Sequence, residues 1–252
     1  MRLLTIPSIS ALSAPRGWVL LAGLFASLLV SLSFAGTAGA ISSIAIYQNK
    51  LSTADNRAQV AKYRGKGNCI RSRSNSSIKF RIGKSTRECA FLIPVVGQDL
   101  EVTATGRLFT STPKSIWSKT FLSVNLRQAK DGSRYQLAVY PSGRRWQIRK
   151  VRNGGRVEVL KGGKAGKKIG GFGDANRMVL RAYNGIAGQP SDSARLVALV
   201  NGQKLGFAND ARGGELRGRD TTFSIASNKG AKGAFGSFTG LRVRMPNPFQ
   251  GS

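Results

Sequence analysis

From Ile78 onward, apolar side chains recur at every second position in short runs separated by turn residues, and this pattern constrains the fold more than any other feature of the chain. In RYQLAVY (134–140), Tyr135, Leu137 and Val139 share one face. In RMVLRAY (177–183), Met178, Leu180 and Ala182 share one face, with Arg181 opposite. Similar runs fall at 78–82, 89–93, 100–108, 120–127, 145–151, 156–160, 195–200, 204–208, 222–227 and 238–245. The connectors carry turn chemistry: Asp131-Gly132, Ser142-Gly143, Gly154-Gly155 and Asn201-Gly202. Asn-Gly and Asp-Gly favour hairpin turns whose backbone needs positive φ. Helical periodicity is nearly absent after residue 64. The spacing predicts an all-β, two-sheet antiparallel sandwich over 78–245, followed by a C-terminal tail, 246–252.

The N-terminus reads differently. Arg2 and Arg16 precede an uncharged apolar run, Trp18 to Ala35, and then AGTAGA (35–40), in which Ala38 and Ala40 fit an A-x-A cleavage site. Residues 1–40 are therefore predicted to form an N-terminal hydrophobic helix, either a cleaved signal peptide or an uncleaved signal anchor, since a run of this length can also span a bilayer. Either way the positive-inside rule places Arg2 and Arg16 in the cytoplasm and residues 41–252 outside it, secreted or in the cell envelope. Membrane contact is expected only through residues 18–40, if they are retained. Residues 41–77 form a polar, basic lead-in with room for a short helix within 51–64. Cys69 and Cys89 are the only cysteines, and in an oxidising compartment they are expected to pair.

Charge narrows the list of partners without choosing one. The 40 Lys and Arg against 11 Asp and Glu give a formal charge of +29. Setting aside Arg2 and Arg16 leaves +27 on residues 41–252, a field that attracts polyanions or simply keeps a basic surface solvated. No stacking platform or groove-reading element accompanies the charge, so a specific nucleic-acid role is not expected.

Catalysis has little to draw on. With no histidine, Ser-His-Asp, Cys-His and His-ligated metal chemistry are excluded, and no metal or cofactor is expected. GGKAGKK (162–168) lacks both the glycine spacing and the Ser/Thr of a phosphate-binding loop. Asp99 and Glu101, two positions apart, are the closest pair of acids on one strand-like run, and a pair of carboxylates is what glycoside cleavage needs.

The run from Asp131 to Val243 resembles the concanavalin A-like jelly-roll domains, among them laminin-G-like lectin domains, glucanases and keto-disaccharide hydrolase-like domains. The likeness rests on DGSRYQLAVYPSGRRWQIRKV, NRMVLRAYNG, RLVALVNGQKLGFAND and TTFSIASNKGAKGAFGSFTGLRV. It implies the sandwich, and a protein that binds glycan or an anionic envelope polymer without catalysis, or serves as a structural ectodomain. A glycoside hydrolase-like enzyme with an atypical carboxylate pair is the alternative. The candidate ligand-binding residues are Trp146, Tyr140, Arg145, Gln147 and Arg149. Strand alternation puts Arg145, Gln147 and Arg149 on one face and Trp146 with Ile148 on the other, so Trp146 is open to a core role instead. Guanidinium forks match carboxylate and phosphate groups, which suits that arginine-bearing face to acidic ligands.

Overall fold

The computed structural model describes residues 44–51, 53, 55, 69–74, 77–83, 87–184, 193–212, 215, 216, 218–228 and 232–245. The N-terminal helix expected over residues 1–40, nearly all of the 51–64 segment and the C-terminal tail 246–252 lie outside them. No helix among the described residues is long and apolar enough to cross a membrane.

The strands, in chain order, are β1 (Ile44–Asn49), β2 (Cys69–Ser74), β3 (Ser77–Ile82), β4 (Glu88–Val96), β5 (Glu101–Leu108), β6 (Thr120–Gln128) and β7 (Arg134–Tyr140). They continue with β8 (Arg145–Val151), β9 (Val157–Lys164), β10 (Asn176–Asn184), β11 (Ala194–Val200), β12 (Gln203–Asp210), β13 (Asp220–Ser227) and β14 (Phe235–Met245). They form two antiparallel sheets. The eight-stranded sheet runs β12-β11-β10-β5-β14-β3-β2, with β1 also on β14; the six-stranded sheet runs β4-β13-β6-β7-β8-β9. Every run expected from period-two alternation is a strand.

The turns follow residue chemistry. Asn201 and Gly202, at φ 52° and 81°, close the β11–β12 hairpin, and Gly132, at φ 88°, turns β6 into β7. Between β7 and β8 the positive φ falls on Arg144 (46°) rather than on its neighbour Gly143.

One boundary is corrected. The basic lead-in expected over 41–77 contributes β1 and β2 to the eight-stranded sheet. β14 is long enough to take two partners along one edge: β3 pairs with Phe235–Phe238 and β1 with Leu241–Met245. Both added strands sit at the margin of the sheet. β1 shows why the alternation there was weak, for Ile44, Ala45, Ile46 and Gln48 are all exposed. The expected disulfide is present, and it links β2 of one sheet to β4 of the other.

The sheets meet over alternating inward side chains, including Leu122, Val124 and Leu126 of β6 and Leu137 and Val139 of β7. Phe80 and Phe238 from one sheet meet Phe91 and Phe223 from the other, with ring centroids 4.1 Å apart for Phe80–Phe91 and 4.7 Å for Phe223–Phe238. Burial on this scale is the main driving force for closing such a sandwich. At one end of the interior, Lys150 Nζ lies 2.7 Å from Asp210 Oδ2, and the Tyr135 hydroxyl donates to the same oxygen at 2.8 Å.

Candidate functional site

Alternation along β7 and β8 decides which side chains leave the core. Tyr135, Leu137, Val139 and Ile148 point inward. Gln136 and Tyr140 of β7, with Arg145, Gln147 and Arg149 of β8, occupy the other face of the six-stranded sheet. The ladder places Gln136 opposite Arg149 and Tyr140 opposite Arg145. Such directly opposed pairs sit about 5 Å apart, close enough for their polar ends to meet.

Arg149 is the centre of the group. Its guanidinium donates to Gln136 Oε1, to the Tyr140 hydroxyl at 3.0 Å and to Asn228 Oδ1 at 3.2 Å. Its Cζ lies 4.4 Å from the Phe121 ring centroid, in reach of a cation–π attraction. Arg149 is only 4% exposed, and no carboxylate among the described residues comes within ion-pair distance of it. Burial accordingly lowers its pKa below the ordinary arginine value, with the nearby Tyr140 acting in the opposite sense.

Around this buried cation stands an accessible rim. Arg145 is exposed and lies over the Tyr140 ring at 5.2 Å. Gln147 is half-buried, its Oε1 3.4 Å from the Tyr140 hydroxyl, and Asn228 is exposed. Behind them the network runs on across the sheet. Gln136 donates to Ser123 at 3.1 Å, Ser123 meets Ser224, and Ser224 donates to Glu88 at 2.6 Å. Glu88 pairs in turn with Arg134 at 2.6 Å. One acceptor on this face is unmatched among the described residues: Asn125 is fully buried and its Oδ1 has no hydrogen-bond partner there. A buried polar atom left in that state is costly unless something else satisfies it.

Of the five candidate residues, four are brought together: Tyr140, Arg145, Gln147 and Arg149. Trp146 is the exception and is removed from the ligand-binding set. It is 4% exposed and belongs to the core, because period two turns it inward with Ile148. Trp117, another aromatic that could have stacked on a ligand, lies instead against Phe172 at 4.2 Å. Gln136 was available to sequence reasoning, since it shares the Tyr140 face of RYQLAVY. Asn228 was not, because 79 positions separate it from Arg149.

The acid pair is divided between two arginines. Asp99 pairs with Arg127 at 3.2 Å, and Glu101, nearly buried, pairs with Arg181. No group of three or more His, Cys, Asp or Glu that could hold a metal occurs among the described residues. The basic loop residues Lys161, Lys164, Lys167 and Lys168 are exposed.

No known family description matches the sequence, and no curated protein matches it. Solved structures do match in fold. A Bacillus subtilis protein of unknown function with a galectin-like fold aligns at TM-score 0.57 and 14% identity, covering 81% of this chain and 97% of its own. The carbohydrate-binding module CBM66 from Bacillus subtilis aligns at TM-score 0.51 and 13% identity, over 70% of this chain and 92% of its own. The carbohydrate recognition domain of Emp46p, in its metal-free form, aligns at TM-score 0.54 and 10% identity, over 81% and 96%. With its two antiparallel sheets and these matches, the chain has the galectin-like, concanavalin A-like jelly-roll fold.

Proposed function

We propose that this protein binds glycan without catalysis, outside the cytoplasm, through the outward face of the six-stranded sheet around Arg149. The observation that carries this reading is a buried guanidinium with no carboxylate partner among the described residues, framed by Tyr140, Gln136 and Asn228 beneath an exposed rim. Fixed donors and acceptors of this kind suit the hydroxyls of a sugar, and a guanidinium without a direct ion pair suits a glycan carrying acidic groups. Glycan recognition in this fold is supported by the carbohydrate-binding module and the carbohydrate recognition domain that share it. Absence of catalysis is supported by the lack of histidine and by the separate arginine partners of Asp99 and Glu101. Placement outside the cytoplasm is supported by the Arg2–Ala40 leader pattern.

The test is a glycan array probed with the full-length protein and with Arg145→Ala and Gln147→Ala. Both substituted side chains lie on the rim and not in the core. Retention of a defined set of glycans that weakens by about tenfold or more in either variant, equivalent to about 1.4 kcal/mol, is the expected result. Binding to no glycan on the array, or binding indifferent to both substitutions, would overturn the reading. Release of reducing sugar from any arrayed glycan would replace it with a hydrolase.

A further inference from the structure

The opposite face of the molecule carries a second feature that the reading above does not use. A groove of about 250 Å³ crosses β14 on the outward face of the eight-stranded sheet, lined among others by Lys50, Thr103, Thr105, Arg177, Gly240 and Arg242. Its shape follows from the strand pairings. Arg177 of β10 stands opposite Thr105 of β5, which stands opposite Gly240 of β14. One row along, Thr103 stands opposite Arg242, which stands opposite Gln48 of β1. The ladder slips between Phe238 and Gly240, where β14 passes from its β3 partner to its β1 partner. A glycine at that point leaves the row without a side chain, and a Cβ built there would meet nothing within 4 Å.

The chemistry of the groove is one-sided. Arg177 and Lys50 are exposed and Arg242 is half-buried, and no carboxylate among the described residues lies within ion-pair distance of any of the three. Glu101 is the one acid in β1, β5, β10 and β14, and it is engaged by Arg181. The floor adds a waiting hydroxyl: Thr103 is 6% exposed, and its Oγ1 has no hydrogen-bond partner among the described residues. Arg177 and Arg242 are about 12 Å apart on the strand lattice, within the combined reach of two guanidinium side chains. Donors therefore approach one space from β5, β10, β14 and the segment after β1, with no opposing charge.

We infer that this groove is a binding site for a tetrahedral oxyanion, a sulfate or phosphate ester borne by an acidic glycan. Arg177 and Arg242 supply paired N–H donors, Lys50 supplies a point charge, and the Thr103 hydroxyl completes its bonding by donating to an ester oxygen. Donors arriving from several directions fit a group with three terminal oxygens better than a planar carboxylate. Among the described residues no aromatic ring lines the groove, so they offer a single-stranded nucleic acid no stacking platform there. The site stands independently of the Arg149 face, which belongs to the other sheet.

The experiment measures binding of the full-length protein to dextran sulfate, to neutral dextran of the same size, to inorganic sulfate and to a short DNA duplex. Three variants are compared. Gly240→Leu fills the groove without changing charge, and the position has room for a side chain. Arg177→Gln with Arg242→Gln removes two of the groove's charges. Lys161→Gln with Lys164→Gln removes two charges from β9 on the other sheet. Thermal melting checks that each variant is folded. Dextran sulfate affinity is expected to fall by about tenfold or more in the first two variants and by less than about threefold in the third, with inorganic sulfate competing and neutral dextran not bound. An unchanged Gly240→Leu protein, or equal losses in the two charge-matched doubles, would overturn the site and leave only net charge. Tighter binding of the DNA duplex with the same variant sensitivity would overturn the glycan assignment. Arg145→Ala and Gln147→Ala are expected to leave dextran sulfate binding by this groove in place, so failure of one site is read separately from failure of the other.

Discussion

The backbone of Gly206 lies against the edge of the Trp146 indole, so that a methyl group built on Gly206 would stand 2.8 Å from Cη2 of the ring. Gly206 belongs to β12 of one sheet and Trp146 to β8 of the other. The largest inward side chain of β8 is thus accommodated by the absence of a side chain across the interior.

Gly206→Ala is expected to destabilise the protein by about 1–3 kcal/mol through overpacking. Gly206 has no positive φ, so the cost is one of space rather than of backbone conformation. The readouts are a lower melting temperature, by about 2–4 °C per kcal/mol for a domain of this size, and a changed tryptophan emission.

Lys150 and Asp210, buried together at one end of the interior, depend on each other. Lys150→Met leaves the Asp210 carboxylate without its cation and is expected to cost about 3–5 kcal/mol. Pairing it with Asp210→Leu is expected to recover most of that loss, since two apolar groups replace two charges. Chemical denaturation of the two single variants and the double measures this coupling directly.

Acid is expected to act through the same cluster. Burial alone would raise the Asp210 pKa, but hydrogen bonds from Lys150 and Tyr135 outweigh it and hold the carboxyl below its ordinary value. Bonds from Lys150 and Arg152 lower Glu215 as well. For groups lowered by folding, the stabilisation is present above their unfolded values and disappears as pH falls through the folded ones, so loss begins below about pH 4. At the other extreme, burial raises Tyr135, which stays a neutral phenol in the fold; stability declines once pH exceeds about 10, where the unfolded chain ionises. Asp210→Asn is expected to flatten the acid limb of a stability–pH curve and to soften the alkaline limb, where burial of Tyr135 still acts but the Asp210 charge that also raises it is gone.

The Cys69–Cys89 bridge closes a loop of sequence separation 20 and ties the two sheets at their β2 and β4 edges. Replacing both cysteines by serine is expected to cost about 3 kcal/mol, the loop-closure contribution for this length. Hydrogen exchange should quicken in β2 and its partner β3 before it quickens in β11 or β12, which lie at the far side of the same sheet. Uniform quickening across both edges would show that the bridge does not act locally.

Much of the fold could be read from local pattern. Tyr135, Leu137 and Val139 recur at every second position, and all three are in the core. Asn201-Gly202 announced a hairpin turn and forms one with both residues at positive φ. The same alternation placed Arg145, Gln147 and Arg149 on one face, and its other half carried Trp146 inside. Where pattern fell short, the strand lay at a margin. β1 exposes most of its side chains, so its alternation was never enforced by a core, and β2 reads as a basic stretch, CIRSRS. The turn at Ser142-Gly143 shows a finer limit: the glycine suggested the site of positive φ, and Arg144 adopts it.

The chain's own order of residues determined most of the strands, their inward faces, most of the turns, the absence of histidine chemistry and the excess of positive charge, because each depends on residue type or on neighbours one and two positions away. Only the tertiary structure decided that Arg149 meets Asn228, that Gly206 receives Trp146, and that Arg177, Thr103 and Arg242 surround one groove. Those contacts join residues that are distant along the chain. They arise from which strands lie side by side and which sheets face each other, and a two-residue repeat carries no information about either.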